Sequence, residues 1–185
     1  NWGRNTKYQR YLDRPLRMLH GDLLGDGTVQ TIEAFFDQQH RKWFPWRDLE
    51  TMSSVFPPIR ARFDSFRVYG AASVEEIFKE VLPAMMEYRA NTLDSMVFLN
   101  RANGSEAHPL PIEAQFAPAF GVSVSDFDGD GNEDVFLAQN FFATLHDASR
   151  NDAGRGLLLR GDGAGNFISV PGQESGLKIY GEQRG

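Results

Sequence analysis

A glycine-containing acidic segment, DFDGDGNEDVFLAQN at residues 126–140, constrains the fold of this chain more than any other feature. Five of the nine side chains at positions 126–134 are acidic, and an apolar run follows at 135–137. Two like charges about 5 Å apart repel by roughly 3 kcal/mol at an effective dielectric constant near 20. The segment is therefore either a splayed turn in water or a loop closed around a cation.

The spacing of the acidic residues favours the closed loop. Glycines at 129 and 131 admit backbone angles that other residues avoid, so the side chains of Asp126, Asp128 and Asp130 can turn toward one point. Asp134 can close the ring from the far side, and the backbone carbonyl of Asn132 can face inward. Such an oxygen-only shell suits calcium, which takes about 6 to 8 oxygen ligands. We therefore expect a calcium site, with a solvated acidic turn as the alternative.

The flanks of the loop exclude the EF-hand, which begins with the same D-x-D-x-D-G pattern. An EF-hand needs a bidentate acid at its twelfth position, where this chain has Leu137. Before the loop, FGVSVSD alternates apolar and polar residues, and after it VFLA forms a short apolar run. Both patterns are typical of strands. The sequence predicts a strand, an acidic loop and a second strand.

A degenerate copy of the loop lies upstream. Aligning the glycines at 25 and 27 with those at 129 and 131 places Asp22 at the position of Asp126. In this alignment Leu24 and Gln30 replace two of the four carboxylates. We expect this upstream loop to bind calcium poorly or not at all.

Two further segments match at an offset of 60 residues. The apolar run at 97–99 corresponds to 157–159, and the dipeptide at 110–111 corresponds to 170–171. A glycine-rich turn separates two strand-like runs in each copy. Self-similarity at a fixed period is the signature of repeat architectures.

Residues 46 to about 90 have a different pattern. RDLETMSSVF and IRARFDSF have helical spacing interrupted by prolines at 57 and 58, and Ser73 with Glu76 forms a capping box. Pro83 is expected to kink or restart the helix before AMMEYR. The segment is predicted to be a helical insertion whose aromatic and methionine side chains serve packing.

Composition narrows the classes of partner. A net charge of -6 argues against a nucleic-acid partner, which would favour a basic face. The absence of cysteine excludes disulfides, catalytic thiols and thiolate metal sites. No run approaches the roughly 20 apolar residues of a membrane helix, so no transmembrane segment is expected in this chain.

The segment FGVSVSDFDGDGNEDVFL and the hairpin LLLRGDGAGNF resemble FG-GAP/VCBS-type repeats, the blades of integrin-α-like β-propellers. NTLDSMVFLN and the helical segment are similar to the bacterial group related to cartilage acidic protein. The resemblance is good over 96–185 and weak over 1–45. It implies calcium ligation by the side chains of Asp126, Asp128, Asp130 and Asp134 and by the carbonyl of Asn132.

The fold class implied by this resemblance is mainly β, a partial β-propeller with a helical insertion. Residues 1–45 would be a degenerate N-terminal blade, 46–95 the helical insertion, and 96–185 the calcium-binding repeat with the start of the next blade. Propellers close with about 4 to 8 blades, and about three fit here. We therefore expect part of a larger propeller, with a C-terminal end at Gly185 that leads into a further blade. Four apolar strand residues are then at risk of exposure, namely Val122, Val124, Val135 and Leu137.

The preferred function is a noncatalytic calcium-binding module for adhesion or protein assembly. Its partner would be a protein or a cell surface, and its compartment would be secreted, periplasmic or at the cell surface. No nucleophile and base stand at a recognisable spacing, which disfavours an enzyme without excluding one. The alternative is a carbohydrate-active enzyme or its accessory module, with a pocket away from the calcium loop and carbohydrate as its ligand.

An RGD tripeptide at 160–162 is the remaining motif. It could indicate attachment to integrins. The internal repeat explains it as a hairpin turn, which is the interpretation we prefer.

Overall fold

The computed structural model describes residues 2–144 and 150–184. Within these residues the chain is mainly β, with three antiparallel sheets and short helices. Each sheet is open and has two edge strands, so none closes into a barrel or a propeller ring. Gly185 lies outside the described residues. The strands are β1 (Leu16–Gly21), β2 (Gln30–Asp37), β3 (Lys42–Pro45), β4 (Met86–Ala90), β5 (Met96–Arg101), β6 (Gly104–Pro109), β7 (Ala119–Ser125), β8 (Asp134–Gln139), β9 (Leu157–Gly161) and β10 (Phe167–Val170).

The chain divides into two compact units. The helical unit comprises Tyr8–Thr92, and the acidic-loop unit comprises Asn1–Lys7 with Leu93–Gly185. None of the described helices has the length and apolar content needed to cross a membrane. The α-helices are α1 (Leu49–Val55), α2 (Pro58–Arg62), α3 (Phe66–Ala71), α4 (Val74–Ile77) and α5 (Gly172–Ser175), and 3₁₀ turns lie at Gln9–Tyr11, Leu82–Ala84 and Ile112–Gln115.

The helical unit contains a four-stranded sheet in the order β3-β2-β1-β4. Alternate residues of β2 are buried, which is the period-two pattern of a strand with one covered face. Helical residues cover this face, since Ile32 belongs to one core cluster with Leu49, Ile59, Ile77 and Phe78. The core of this unit therefore lies between the sheet and the helices.

Capping side chains and a proline mark the starts of three short helices. The Asp48 side chain accepts a hydrogen bond from the Thr51 N–H at the start of α1. At the start of α4, Ser73 and Glu76 form the predicted capping box in both directions. Pro58 opens α2, where its fixed backbone angle suits a first helical turn.

The prediction of a helix after Pro83 is wrong. Pro83 lies in a 3₁₀ turn, and the following residues form strand β4, which pairs antiparallel with β1. The five backbone partners offered by β1 outweigh the helical preference of a segment that short, because local propensity is a weak influence beside tertiary pairing. The helical region of this unit is thus bounded by strands of one sheet.

The acidic-loop unit contains a four-stranded meander in the order β10-β9-β8-β7 and a separate hairpin of β5 and β6. The two glycine-rich turns predicted to join strand-like runs are confirmed as the turns of the β5–β6 and β9–β10 hairpins. The dipeptide at 110–111, however, follows β6 and is not part of a strand. Strand β8 lies inside the sheet and is almost wholly buried. Val135, Leu137 and Leu159 form the core of this unit together with Leu110 and Ala114.

Strand β7 forms one edge of this sheet, and its apolar side chains are exposed. Val122 is 63% exposed and Val124 is 55% exposed. Their register partners Leu137 and Val135 are 3% and 8% exposed. The expectation of exposure is met by the two β7 residues and is wrong for the two β8 residues. The two β8 residues are covered because β8 pairs with β9 as well as with β7, and because they pack in one core cluster with Leu110.

Candidate metal centre

The acidic loop joins β7 to β8, as the strand, loop and strand prediction required. Gly129 and Gly131 have φ angles of 79° and 89°, in the left-handed region where a side chain causes strain. These two residues produce the tight curl that returns the chain to the sheet.

Three carboxylates meet in this loop. Asp126, Asp128 and Asp130 each offer one oxygen, and these oxygens all lie within 4.8 Å of one another. Two ligands of a single calcium ion, each about 2.4 Å from it, can be at most about 4.8 Å apart. The three side chains are exposed to solvent, so the loop presents its negative charge outward. The donor set is oxygen only, which fits calcium and lacks the nitrogen and sulfur that zinc favours.

Backbone hydrogen bonds hold these carboxylates in place. Oδ1 of Asp126 accepts from the N–H of Gly129 at 2.7 Å and of Asp130 at 3.1 Å, and its Oδ2 accepts from Gly131 at 2.9 Å. Oδ1 of Asp130 accepts from the Asn132 N–H at 2.8 Å. The acids are therefore positioned by the turn itself, which reduces the ordering that ion binding would require.

Asp134 occupies a different environment from the other three acids. It is 1% exposed and does not belong to the group of converging oxygens. Its Oδ2 accepts from the Phe127 N–H at 3.0 Å, and its Oδ1 accepts from the Gly161 N–H at 2.9 Å. Asp134 thus connects the loop to β9. Of the five predicted ligands, the structure brings the side chains of three together. Asp134 instead accepts backbone N–H groups from Phe127 and Gly161, and the Asn132 N–H donates to Asp130.

Arg160 is a neighbour of the site that sequence reasoning missed. Its Nε lies 2.6 Å from Oδ2 of Asp128. Arg160 directly follows Leu159, the register partner of Val135, so strand pairing carries it to the loop. The only sequence signal was its position at the end of a strand-like run. An arginine here neutralises part of the loop's charge and orients one carboxylate.

Contacts made by each of its three residues account for the RGD tripeptide at 160–162. Oδ1 of Asp162 accepts from the N–H groups of Ala164 and Asn166, so it stabilises its own turn. A Cβ at Gly161 would clash with the carbonyl oxygen of Glu133. The three residues therefore have structural roles in the β9–β10 hairpin and beside the acidic loop.

The upstream loop repeats this scaffold without its full charge. Oδ1 of Asp22 accepts from the N–H of Gly25 and Asp26, and its Oδ2 accepts from Gly27, the same pattern as at Asp126. These bonds lower the pKa of Asp22, with the Gly27 N–H as the largest cause. Gln30 is the counterpart of Asp134.

The side chain of Gln30 takes over one of the two bonds made by Asp134. Its Oε1 accepts from the Leu23 N–H at 2.8 Å, as Oδ2 of Asp134 accepts from Phe127. Leu24 stands at the position of Asp128 and is partly exposed. Among the described residues, the one group of three converging His, Asp or Glu side chains lies in the downstream loop. The two loops thus share a backbone conformation and differ in their carboxylates.

Comparisons of this chain with protein-family models, with curated proteins and with solved structures found no match. The resemblance to FG-GAP/VCBS repeats therefore stays a prediction from sequence.

Proposed function

We propose that this chain is a noncatalytic calcium-binding module, part of a β-propeller of the FG-GAP/VCBS type, that serves adhesion or protein assembly. The observation that carries the proposal is the convergence of Asp126, Asp128 and Asp130 within 4.8 Å on a loop between two strands. Three carboxylates at this separation repel one another, and the Arg160 guanidinium offsets only part of their charge. A bound calcium ion offsets this repulsion.

Calcium binding at these residues would stabilise more than the loop. Asp134 joins the loop to β9 through Gly161, and β8 forms the buried middle of the sheet. Loss of loop order would therefore disturb the hydrogen bonds of two strands. Binding to the folded state alone adds about 2.7 kcal/mol at a hundredfold excess of calcium over Kd.

Thermal unfolding in calcium and in a chelator tests the proposal. We expect calcium to raise the melting temperature of the wild-type chain, by roughly 5 to 10 °C if about 2.7 kcal/mol is gained. Asp128→Ala should abolish most of this rise because it removes one of the three converging carboxylates. Asp26→Ala is the matched control, since it removes an acid from the upstream loop. Equal melting temperatures with calcium and with chelator would contradict the proposal, as would an equal loss of the rise in both variants.

The exposure of the site suggests weak binding and therefore an extracellular setting. Extracellular calcium modules work at about 0.1 to 1 mM, and three solvent-exposed carboxylates with one arginine neighbour suit that range. We therefore propose a secreted, periplasmic or cell-surface location, with a protein or a cell surface as the partner. Isothermal titration measures the affinity. A Kd near cytosolic calcium levels, below about 1 µM, would argue against this location.

The carbohydrate-active alternative has less support. Glycoside cleavage uses two carboxyl groups about 5 to 9.5 Å apart. The acids of the loop are engaged as a cluster, and a cleft in the helical unit has Asp37 as the one carboxylate among its lining residues. A cleft with a single carboxylate lacks the pair of carboxyl groups that glycoside hydrolysis needs, so it favours ligand binding over hydrolysis.

A further inference from the structure

A cleft in the helical unit is distinct from the acidic loop. It lies between the β2–β3 hairpin and α3, with a volume of about 280 Å³. Phe35, Phe44 and Tyr69 supply its aromatic walls, and Asp37 and His40 supply its polar groups. Its size is close to the lower end of the range for small-molecule sites, about 300 Å³.

The aromatic walls are held by their neighbours. Phe35 and Phe44 are register partners on β2 and β3, and their ring centroids are 6.2 Å apart. Trp46 packs edge-on against Phe35 with a centroid distance of 5.1 Å. The Tyr69 hydroxyl donates to the Arg47 carbonyl at 3.0 Å, which fixes that side chain. The half-buried rings of Phe35 and Phe44 and the buried ring of Tyr69 thus form a fixed apolar surface.

The polar end of the cleft carries negative charge. Oδ1 of Asp37 accepts from the backbone N–H of His40 at 2.8 Å and lies 2.9 Å from its ring Nδ1. The pKa of Asp37 is lowered, mostly by the backbone N–H of His40, so the carboxyl is ionised at neutral pH. A carboxylate has about four acceptor positions, so Asp37 retains capacity for a ligand. No lysine or arginine is among the residues that line the cleft.

We propose that this cleft binds a small organic cation with apolar substituents, such as a quaternary ammonium compound. The cationic group lies beside Asp37, and its substituents pack on the rings of Phe35 and Phe44, whose faces attract positive charge. A carbohydrate fits less well, because one carboxylate and one imidazole cannot satisfy its several hydroxyl groups. This proposal is independent of calcium binding in the other unit.

Choline and its neutral isostere 3,3-dimethyl-1-butanol separate charge from shape. The full chain, labelled with ¹⁵N, is titrated with each compound at about pH 8, above the range in which histidine ordinarily titrates. We expect saturable amide shifts at residues 35–44 and 69–71 with choline. The isostere should bind about tenfold more weakly, a difference of roughly 1.4 kcal/mol. Equal binding of the two compounds, or no saturable shift with choline, would overturn the proposal.

Two variants locate the site, and a third serves as control. Asp37→Asn should weaken choline binding about tenfold while leaving the isostere unchanged. Phe44→Leu keeps an apolar side chain and should weaken choline through loss of the ring face. Asp26→Asn removes an acid from the same unit outside the cleft and should bind as wild type. If Asp37→Asn fails to fold, the comparison of the two ligands on the wild-type chain decides. Saturable shifts with glucose in place of choline would assign the cleft to carbohydrate and refute our proposal.

Discussion

The Asp134→Asn variant tests whether the buried side chain of Asp134 stabilises the fold without a bound ion. Both oxygens of Asp134 accept backbone N–H groups, one from Phe127 and one from Gly161. Asparagine has a single acceptor oxygen, so one N–H would lose its partner and face an amide donor. A buried unsatisfied donor costs about 1 to 3 kcal/mol, and changing the other bond from charged to neutral costs about 1 kcal/mol more.

The expected destabilisation is therefore about 2 to 4 kcal/mol, or a fall of roughly 5 to 15 °C in melting temperature. Circular dichroism during heating in a chelator measures it without any contribution from calcium. Glu133→Gln is the matched control, because it removes the same charge from an exposed neighbour. If the two variants unfold within about 0.5 kcal/mol of each other, Asp134 does not have the structural role assigned to it.

Three further variants probe other contacts. The Arg4 guanidinium lowers the pKa of Asp94, chiefly by hydrogen bonding, below the usual 3.8. The stability from this pair is therefore present above that value and is lost as the pH falls through the folded-state pKa. Urea unfolding should show Asp94→Asn less stable than wild type at neutral pH and equally stable in strong acid. Arg160→Gln should tighten calcium binding by up to about tenfold at low salt, measured by titration calorimetry, because it relieves repulsion beside Asp128. Gln115→Leu should cost about 2 to 4 kcal/mol in urea unfolding, because the buried amide satisfies three backbone groups.

The features that could be predicted from sequence depend on residues close together in the chain. The strands around the acidic loop follow from alternation on one side and an apolar run on the other. The capping box of α4 spans four residues, and the prolines between α1 and α2 act within one turn. In each case the physical cause lies within a few residues, so the sequence contains all of it.

The features that were missed depend on pairing between distant segments. Strand β4 forms because β1 has an open edge, and Pro83 gives no indication of that edge. Arg160 reaches Asp128 only because β9 pairs with β8 in one register. The cleft beside Asp37 requires α3 to lie near the β2–β3 hairpin. The apolar pattern of a single sequence does not identify these registers, because several strand pairings satisfy the same pattern.

The two acidic loops together indicate which charges the fold requires. The acceptor bonds of Asp126 recur at Asp22, so an aspartate at that position is explained by the turn alone. The loop-closing bond from Asp134 to Phe127 has a counterpart in the bond that the neutral side chain of Gln30 makes to Leu23. Leu24, however, occupies the place of Asp128 without loss of the scaffold. The fold therefore does not need an acid at 128, and repulsion from two neighbouring carboxylates opposes one. Arg160 offsets part of this repulsion. Because the turn does not require Asp128, substitution of Asp128 is the most direct test of the proposed calcium site.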